Sequence, residues 1–297
     1  MNYYKEIKQE LINNEVYKKV KDYSKNKNDL NTYYNVGKLL SEAGKHYGEG
    51  IVKEYSKKLT IELGKGYTTS ALKRMKQLYL IIQKGAPLAH QLSWSHYCEL
   101  IPLNNINMIN YYIKISLTQN LSKRELRTKI KNKEYERLDE ITKNKLVINN
   151  EENNIEDFIK HPIVIKNKYN YQEVSEKTLK QLILEDIDNF LIELGEGFSY
   201  IKNEYKIKIG DRYNYIDLLL YNYKYNCFVV LELKITELKA EYIGQIQKYM
   251  NYIDRNIKNI NQEKTIGIII CKKDNKFIME YCSDSRIYRT TYELINN

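Results

Sequence analysis

Cysteine and histidine are both scarce in this sequence, four of each among 297 residues. The cysteines, Cys98, Cys227, Cys271 and Cys282, form no C-x-x-C pair and read as small, reduced apolar side chains of a cytoplasmic protein. So few histidines leave little support for a histidine-based zinc site. No P-loop, H-E-x-x-H or G-x-S-x-G motif occurs, which sets those chemistries aside. No apolar run approaches the roughly 18 residues of a membrane span. The opening MNYYKEIKQE lacks the apolar segment of an export signal, so neither membrane insertion nor export is expected. What is present is a globular balance, 42% apolar and 29% charged, in a chain long enough for two domains with separate cores.

Charge is unevenly placed. Residues 1–150 carry 27 Lys and Arg against 15 Asp and Glu, a net of +12, whereas 151–297 carry 21 against 23, a net of −2. The positive field of the first half predicts a polyanion partner, because phosphate contacts supply affinity that does not depend on sequence. Lys, Asn, Ile and Tyr abound throughout, as in AT-rich coding sequences. That bias explains lysine everywhere, and less readily its asymmetry.

The first half reads as helices, over about 3–25, 30–43 (ended by Gly44) and 51–62 (ended by Gly64). GKGYTTSALKRMKQLYLII follows, a glycine-rich turn, a Thr/Ser cap and a basic helix. This order suits a helix-turn-helix, whose second helix would meet DNA through Thr68, Thr69, Ser70, Lys73, Arg74 and Lys76. It equally suits an ordinary capped helix with solvated lysines. Residues 85–91 are a connection. Trp94 reads as a core anchor and His96 as a satisfied or capping histidine. A helix is expected over about 105–117. Ser122 and Glu125 then make a capping box before a basic helix over about 123–138. Arg124 and Arg127, with Lys123, Lys129, Lys131 and Lys133, form a second candidate phosphate-binding face, or the solvated side of a linking helix. The acidic, Asn-rich stretch 147–157 marks the domain boundary.

The second half opens on a helix over about 175–194 with Leu179, Leu182, Ile183, Ile187, Phe190, Leu191 and Leu194 on one face. A strand over about 198–209 leads to two short apolar runs, 215–221 and 228–234, joined by a hairpin loop. These runs contain Asp217, Glu232 and Lys234, and an unpaired buried charge costs several kcal/mol. Pairing Tyr221 with Phe228 sets Asp217 opposite Glu232, with Cβ atoms about 4.5–5.5 Å apart. Glu232 and Lys234 share a face by alternation. Two opposed carboxylates repel unless a cation joins them, and a hard ion such as Mg2+ takes one or two carboxylates and keeps several waters. Lys234 then points at the same spot, where it can orient an attacking water and steady a charged transition state. A register slip of one residue would move Asp217 to the other face. The alternative is a neutralised ion cluster, or a decayed active site. A helix over about 238–253, a buried strand at 266–271 and a last edge strand at 277–281 complete a mixed sheet with helices on both faces.

The Asp217…Glu232-Leu233-Lys234 arrangement resembles the PD-(D/E)xK nuclease superfamily, with Ile216 where a proline often stands. The wider chain resembles the YhcG-like bacterial two-domain proteins, in which a helical region precedes a PD-(D/E)xK domain. LSWSH (92–96), ELGEGF (193–198), YIDLLLY, VVLELK, GQIQKYMNY (244–252) and IGIIICK (266–272) carry that likeness in order along the chain. The resemblance implies an all-α, helix-turn-helix-like domain over 1–145, a linker over 146–170 and a restriction-endonuclease-like α/β domain over 171–297. It also implies that an acid of the first helix joins the metal site, Glu193 or alternatively Glu185, and that Gln245 lies near the metal and the scissile phosphate. The expected function is Mg2+-dependent cleavage of DNA, foreign or branched, with Mn2+ as a substitute, Asp217 and Glu232 as metal ligands and a homodimer suited to cutting two strands. The competing expectation is a nucleic-acid-binding protein with a degenerate nuclease fold.

Overall fold

Secondary structure changes character near residue 136 in the computed structural model, which describes residues 2–19, 25–148, 159–282 and 284–296. The chain divides there into two units, Met1–Tyr135 and Glu136–Asn297. The stretch 147–157 expected to hold the boundary lies mostly outside the described residues.

The first unit is helical: α1 (Tyr3–Lys19), α2 (Lys25–Tyr47), α3 (Ile51–Leu63), α4 (Thr69–Gln83), α5 (Trp94–Leu100), α6 (Ile106–Thr118) and α7 (Lys123–Lys131). Ile7, Leu11, Val36, Leu40, Val52, Leu59, Leu72 and Met75 bring the first four into one core. Their starts follow local chemistry. Thr68 Oγ1 accepts the Ala71 N–H at 3.2 Å, Asn105 caps α6, and Ser122 with Glu125 forms the capping box of α7. His96 belongs to the cap of α5: its Nδ1 accepts the Ser93 N–H at 3.2 Å, and its Nε2 lies 3.0 Å from the Leu121 carbonyl oxygen. Half-buried Trp94 packs on Tyr33 with ring centroids 4.7 Å apart.

Helix α2 begins at Lys25 rather than near 30, and two helix C-terminal ends also differ from expectation. The basic helix stops at Lys131 rather than near 138, because Lys133 turns into the left-handed region at φ 53. Helix α2 runs through Gly44 to Tyr47, and its Gly37 serves packing instead of termination. A Cβ on Gly37 would lie 2.7 Å from the Met75 carbonyl carbon, so glycine lets α2 touch the backbone of α4.

The second unit contains α8 (Glu140–Ile148), β1 (Ile163–Asn167), α9 (Glu176–Glu185), α10 (Ile187–Leu194), β2 (Phe198–Ile209), β3 (Arg212–Asn222), β4 (Cys227–Glu237), α11 (Ala240–Asn256), β5 (Ile266–Lys273), α12 (Lys276–Cys282) and β6 (Ile287–Asn296). The strands form a mixed six-stranded sheet in the order β1-β6-β5-β4-β3-β2. Strands β2, β3 and β4 are antiparallel neighbours, while β4, β5, β6 and β1 run parallel. Alternation divides β3 and β4 between two cores. Leu218, Leu220, Val229, Leu231 and Leu233 meet Leu179, Leu182, Ile183, Phe190 and Leu194 of α9 and α10. Leu219 and Val230 meet Ile243, Ile246, Tyr249, Met250 and Ile253 of α11.

Three expectations need correction here. The helix over 175–194 is two helices, broken at Asp186, whose backbone leaves the helical region at φ −137 and ψ 39. Residues 277–281 belong to helix α12, and Phe277 is exposed. Five residues, Glu280 among them, carry too little periodicity to separate a strand from a helix turn. The sheet is completed instead by β6 and by β1, and β1 lies inside the stretch 146–170 read as a linker. Among the described residues no helix is long and apolar enough to cross a membrane.

Alanine at position 37 should gain up to about 1 kcal/mol of helix propensity. It must also push α2 off the backbone of α4, and overpacking of this kind costs about 1–3 kcal/mol. Gly37→Ala is therefore expected to lower stability. Helical circular dichroism followed through a urea titration would show the loss as an earlier midpoint.

Candidate active site

The hairpin β3–β4 turns where its asparagines dictate. Buried Asn222 accepts the Lys224 and Tyr225 N–H groups at 3.0 and 3.2 Å, and Asn226 adopts φ 51. That turn sets the register Tyr221↔Phe228 through Leu218↔Leu231. The ladder ends at Leu218, and the next residues in line are Asp217 and Glu232. Their side chains take over from the missing backbone bonds. Asp217 Oδ2 accepts the Leu233 N–H at 3.0 Å, and Glu232 Oε1 accepts the Asp217 N–H at 3.3 Å. By alternation both acids and Lys234 lie on the face that carries Leu219 and Val230, toward α11.

Helix α11 supplies Gln245, whose Nε2 donates to Glu232 Oε2 at 3.1 Å and lies 3.1 Å from the Tyr249 hydroxyl. Glycine at Gly267 of β5 lets α11 lie close, since a Cβ there would meet Met250 Sδ at 2.7 Å. Lys234 Nζ is 3.4 Å from Glu232 Oε2 and 5.1 Å from the Tyr242 ring centre. Helix α9 supplies Lys180, with Nζ 3.1 Å from Asp217 Oδ1. Its first turn carries Glu176, whose charge reaches Lys234.

Glu232 is 2% exposed. Burial first, and then the charge of Asp217, push its carboxyl from the ordinary 4.5 up to about 7, although Lys234 acts against both. Burial pulls Lys234 downward, but the fields of Glu232, Glu176 and Asp217 outweigh it and hold the ammonium charged. Among the described residues no group of three or more His, Cys, Asp or Glu forms a metal cage. The donor set is two carboxylates, which suits an oxygen-seeking ion that keeps most of its water, and does not suit zinc.

Asp217, Glu232, Lys234 and Gln245 are thus brought together. The first-helix acids are not part of this group. Glu193 of α10 is paired with Arg137, lies 3.6 Å from Lys160 Nζ and accepts the Val164 N–H at 3.0 Å, a tie between α10 and β1. Glu185 accepts from the Tyr169 hydroxyl and from Gln181. The residues missed in the sequence were Glu176 and Lys180, one helical turn apart beside the Leu179/Ile183 stripe. Their i, i+4 spacing was the available signal.

In the first unit Ser70, Lys73, Arg74 and Arg124 are exposed and Thr69 is half-buried. Lys76 is ion-paired to Glu49 at 2.5 Å, and Arg127 holds Glu99 through two bonds of 3.0 and 2.8 Å.

A mixed sheet between helices, with Asp…Glu-x-Lys across two adjoining strands, defines a PD-(D/E)xK-type nuclease domain. Residues 156–295 match the family described as the YhcG PDDEXK nuclease domain, and residues 6–137 match the DUF1016 N-terminal domain. The chain belongs to the YhcG-like two-domain family, with its nuclease domain C-terminal. The Escherichia coli (strain K12) protein named "Putative nuclease YhcG" is 23% identical over 284 residues, 81% of this chain and 76% of that one. A repair endonuclease from Pyrococcus abyssi is 23% identical, with 41% of this chain and 48% of that one covered at a TM-score of 0.30. The EndoMS-dsDNA2 complex is 19% identical, with 44% and 48% covered at 0.29. This chain spans about half the length of those two solved chains.

The raised Glu232 pKa has a consequence for stability. Between 4.5 and about 7 the folded chain binds more protons than the unfolded one, so stability falls as pH rises through that window. Glu232→Gln removes the buried charge. In metal-free buffer at pH 8 it should raise Tm by roughly 3 °C or more, with the gain fading toward pH 5. Thermal melts of both chains across this range measure it, and an unchanged Tm at pH 8 would remove the charge-burial account.

Proposed function

We propose that this chain is a divalent-cation-dependent endonuclease that hydrolyses phosphodiester bonds of DNA. Asp217 and Glu232 hold the cation, Mg2+ in the cell and Mn2+ as a working substitute. When bound, such an ion lowers the pKa of a water and neutralises charge on a phosphoryl oxygen. Asp217 and Glu232 need little reorganisation to receive it, because Leu233 N–H, Asp217 N–H and Gln245 already fix their rotamers. Gln245 is a positioning residue that acts through Glu232. Lys234 stays an ammonium, held in that form by its acidic neighbours. Its part is to donate hydrogen bonds to the attacking water and to the phosphoryl oxygen as negative charge grows there. The water oxygen bonds to phosphorus while the bond from phosphorus to the departing sugar oxygen breaks; the proton the water releases to solvent is balanced by the one the departing oxygen takes up from solvent.

The observation that carries this reading is the pair of carboxylates where β3 and β4 part, Glu232 buried and Asp217 half-buried, each beside an ammonium. The excess of positive charge in residues 1–150 supports DNA as the partner of the helical region. There Thr69, Ser70, Lys73, Arg74 and Arg124 would meet the duplex, and Lys76 and Arg127 would exchange their glutamates for phosphates. Two copies in a homodimer would address both strands, in the cytoplasm where the DNA lies. A second reading, a nucleic-acid-binding protein with a neutralised site, draws on Lys180 beside Asp217.

Cleavage of linear, nicked, branched and single-stranded DNA and of RNA, with Mg2+, Mn2+ or EDTA, separates the two readings. A nuclease cuts with either metal and stops in EDTA. Asp217→Ala should abolish cutting, Lys234→Ala should slow it about 10²–10³-fold, and Gln245→Ala about 10–100-fold, all with DNA affinity retained. Salt-dependent binding without cutting under any condition would instead establish the second reading.

A further inference from the structure

Asp217 has both carboxylate oxygens engaged. Oδ2 accepts the Leu233 N–H at 3.0 Å, and Oδ1 lies 3.1 Å from Lys180 Nζ. Lys180 has a second carboxylate within reach, Glu204 of β2, whose Oε1 is 3.0 Å from the same nitrogen. The two acids differ in setting: the side chain of Asp217 is 20% exposed and that of Glu204 is 60% exposed. Glu204 also holds φ 47, a backbone conformation few non-glycine residues adopt, at a point where β2 runs beside Asp217 of β3. The two lysines of the site differ in the same way. Lys234 is nearly buried between Glu232 and the Tyr242 ring. Lys180 stands at the boundary, with one acceptor inside and one outside.

We propose that Lys180 is a positioning residue that serves as an internal cation. It neutralises Asp217 while no divalent ion is bound, and it gives up Asp217 and keeps its bond to Glu204 when one binds. A divalent ion and an ammonium cannot share Oδ1, because their charges repel at a separation of a few ångströms in a partly dry site. The lysine therefore competes with the metal and sets how tightly the site loads. Glu204 lowers that competition because it already holds the ammonium and keeps it paired once Asp217 is taken by the ion. Loading is then a swap of cations at Asp217, in which the divalent ion takes the place of the ammonium at Oδ1 and the ammonium stays paired with Glu204. This inference rests on the reading that Asp217 and Glu232 hold a divalent ion.

The test is Mn2+ binding to the full-length chain at pH 8, followed by loss of the free-ion paramagnetic resonance signal. Lys180→Met keeps the apolar stem and removes the charge, and should tighten Mn2+ binding roughly tenfold. Lys180→Arg restores the charge and should return affinity toward that of the unaltered chain. Glu204→Gln should weaken binding about threefold in the unaltered chain and have no effect beside Lys180→Met, because its action passes through the lysine. A merely structural lysine would leave Mn2+ affinity unchanged or lower when replaced, and that result overturns the proposal. Equal weakening by Glu204→Gln in both backgrounds overturns the exchange, since Glu204 would then act by its own charge. If the unaltered chain and Asp217→Asn take up equally little Mn2+, the metal reading itself fails and this inference falls with it. Tight binding by the unaltered chain with no response to Lys180→Met defeats the inference alone.

Discussion

Asp217 and Glu232 stand where a pair of antiparallel strands stops pairing, and they replace the hydrogen bonds that the strands no longer make. Asp217 receives a backbone N–H from β4, and Glu232 receives one from β3. Buried N–H groups must find acceptors, so the parting of the strands and the presence of two carboxylates are one structural fact. Each acid is fixed by the backbone of the opposite strand before any ligand arrives. Chemistry that needs preorganised groups thus draws on bonds the fold already requires.

That arrangement is possible because both faces of the sheet are sealed. Leucines of β3 and β4 face α9 and α10 on one side, while Leu219 and Val230 face α11 on the other. The acids sit at the rim of this double core, dry enough to raise Glu232 and open enough for Lys180 to reach Asp217. The flanking helices provide counter-groups at that rim: Gln245 and Tyr249 from α11, Lys180 and Glu176 from α9. The charge balance is close, with each carboxylate beside one ammonium.

The hairpin, its register and the shared face of Asp217, Glu232 and Lys234 were legible because alternation in a two-faced strand leaves one solution once the turn is known. The two apolar runs and the length of the polar stretch between them located that turn. Gln245 was reachable through resemblance, and its bond to Glu232 gives the physical content. The edges of the sheet were harder. IYRTTYELIN of β6 alternates without strong apolarity, and β1 is five residues beyond a stretch with no pattern, so neither announces a parallel partner far away in the chain. Glu193 carried a family-like setting, yet its carboxylate binds Arg137 and the backbone of β1. Helix periodicity shows that a residue flanks an apolar face. It does not say which end of the helix lies over the acids.

Local order is therefore what the residues by themselves determined: helix caps, the hairpin turn, the strand faces, and the acids and lysine that alternation groups together. Tertiary structure alone decided which distant segments meet. It chose β6 and β1 as the closing strands, set the approach of α2 to α4 at Gly37, and brought the first turns of α9, with Glu176 and Lys180, to the rim beside Asp217. The reason is physical. Periodicity acts over a few residues through fixed bond geometry, whereas the meeting of remote elements depends on packing the whole core at once.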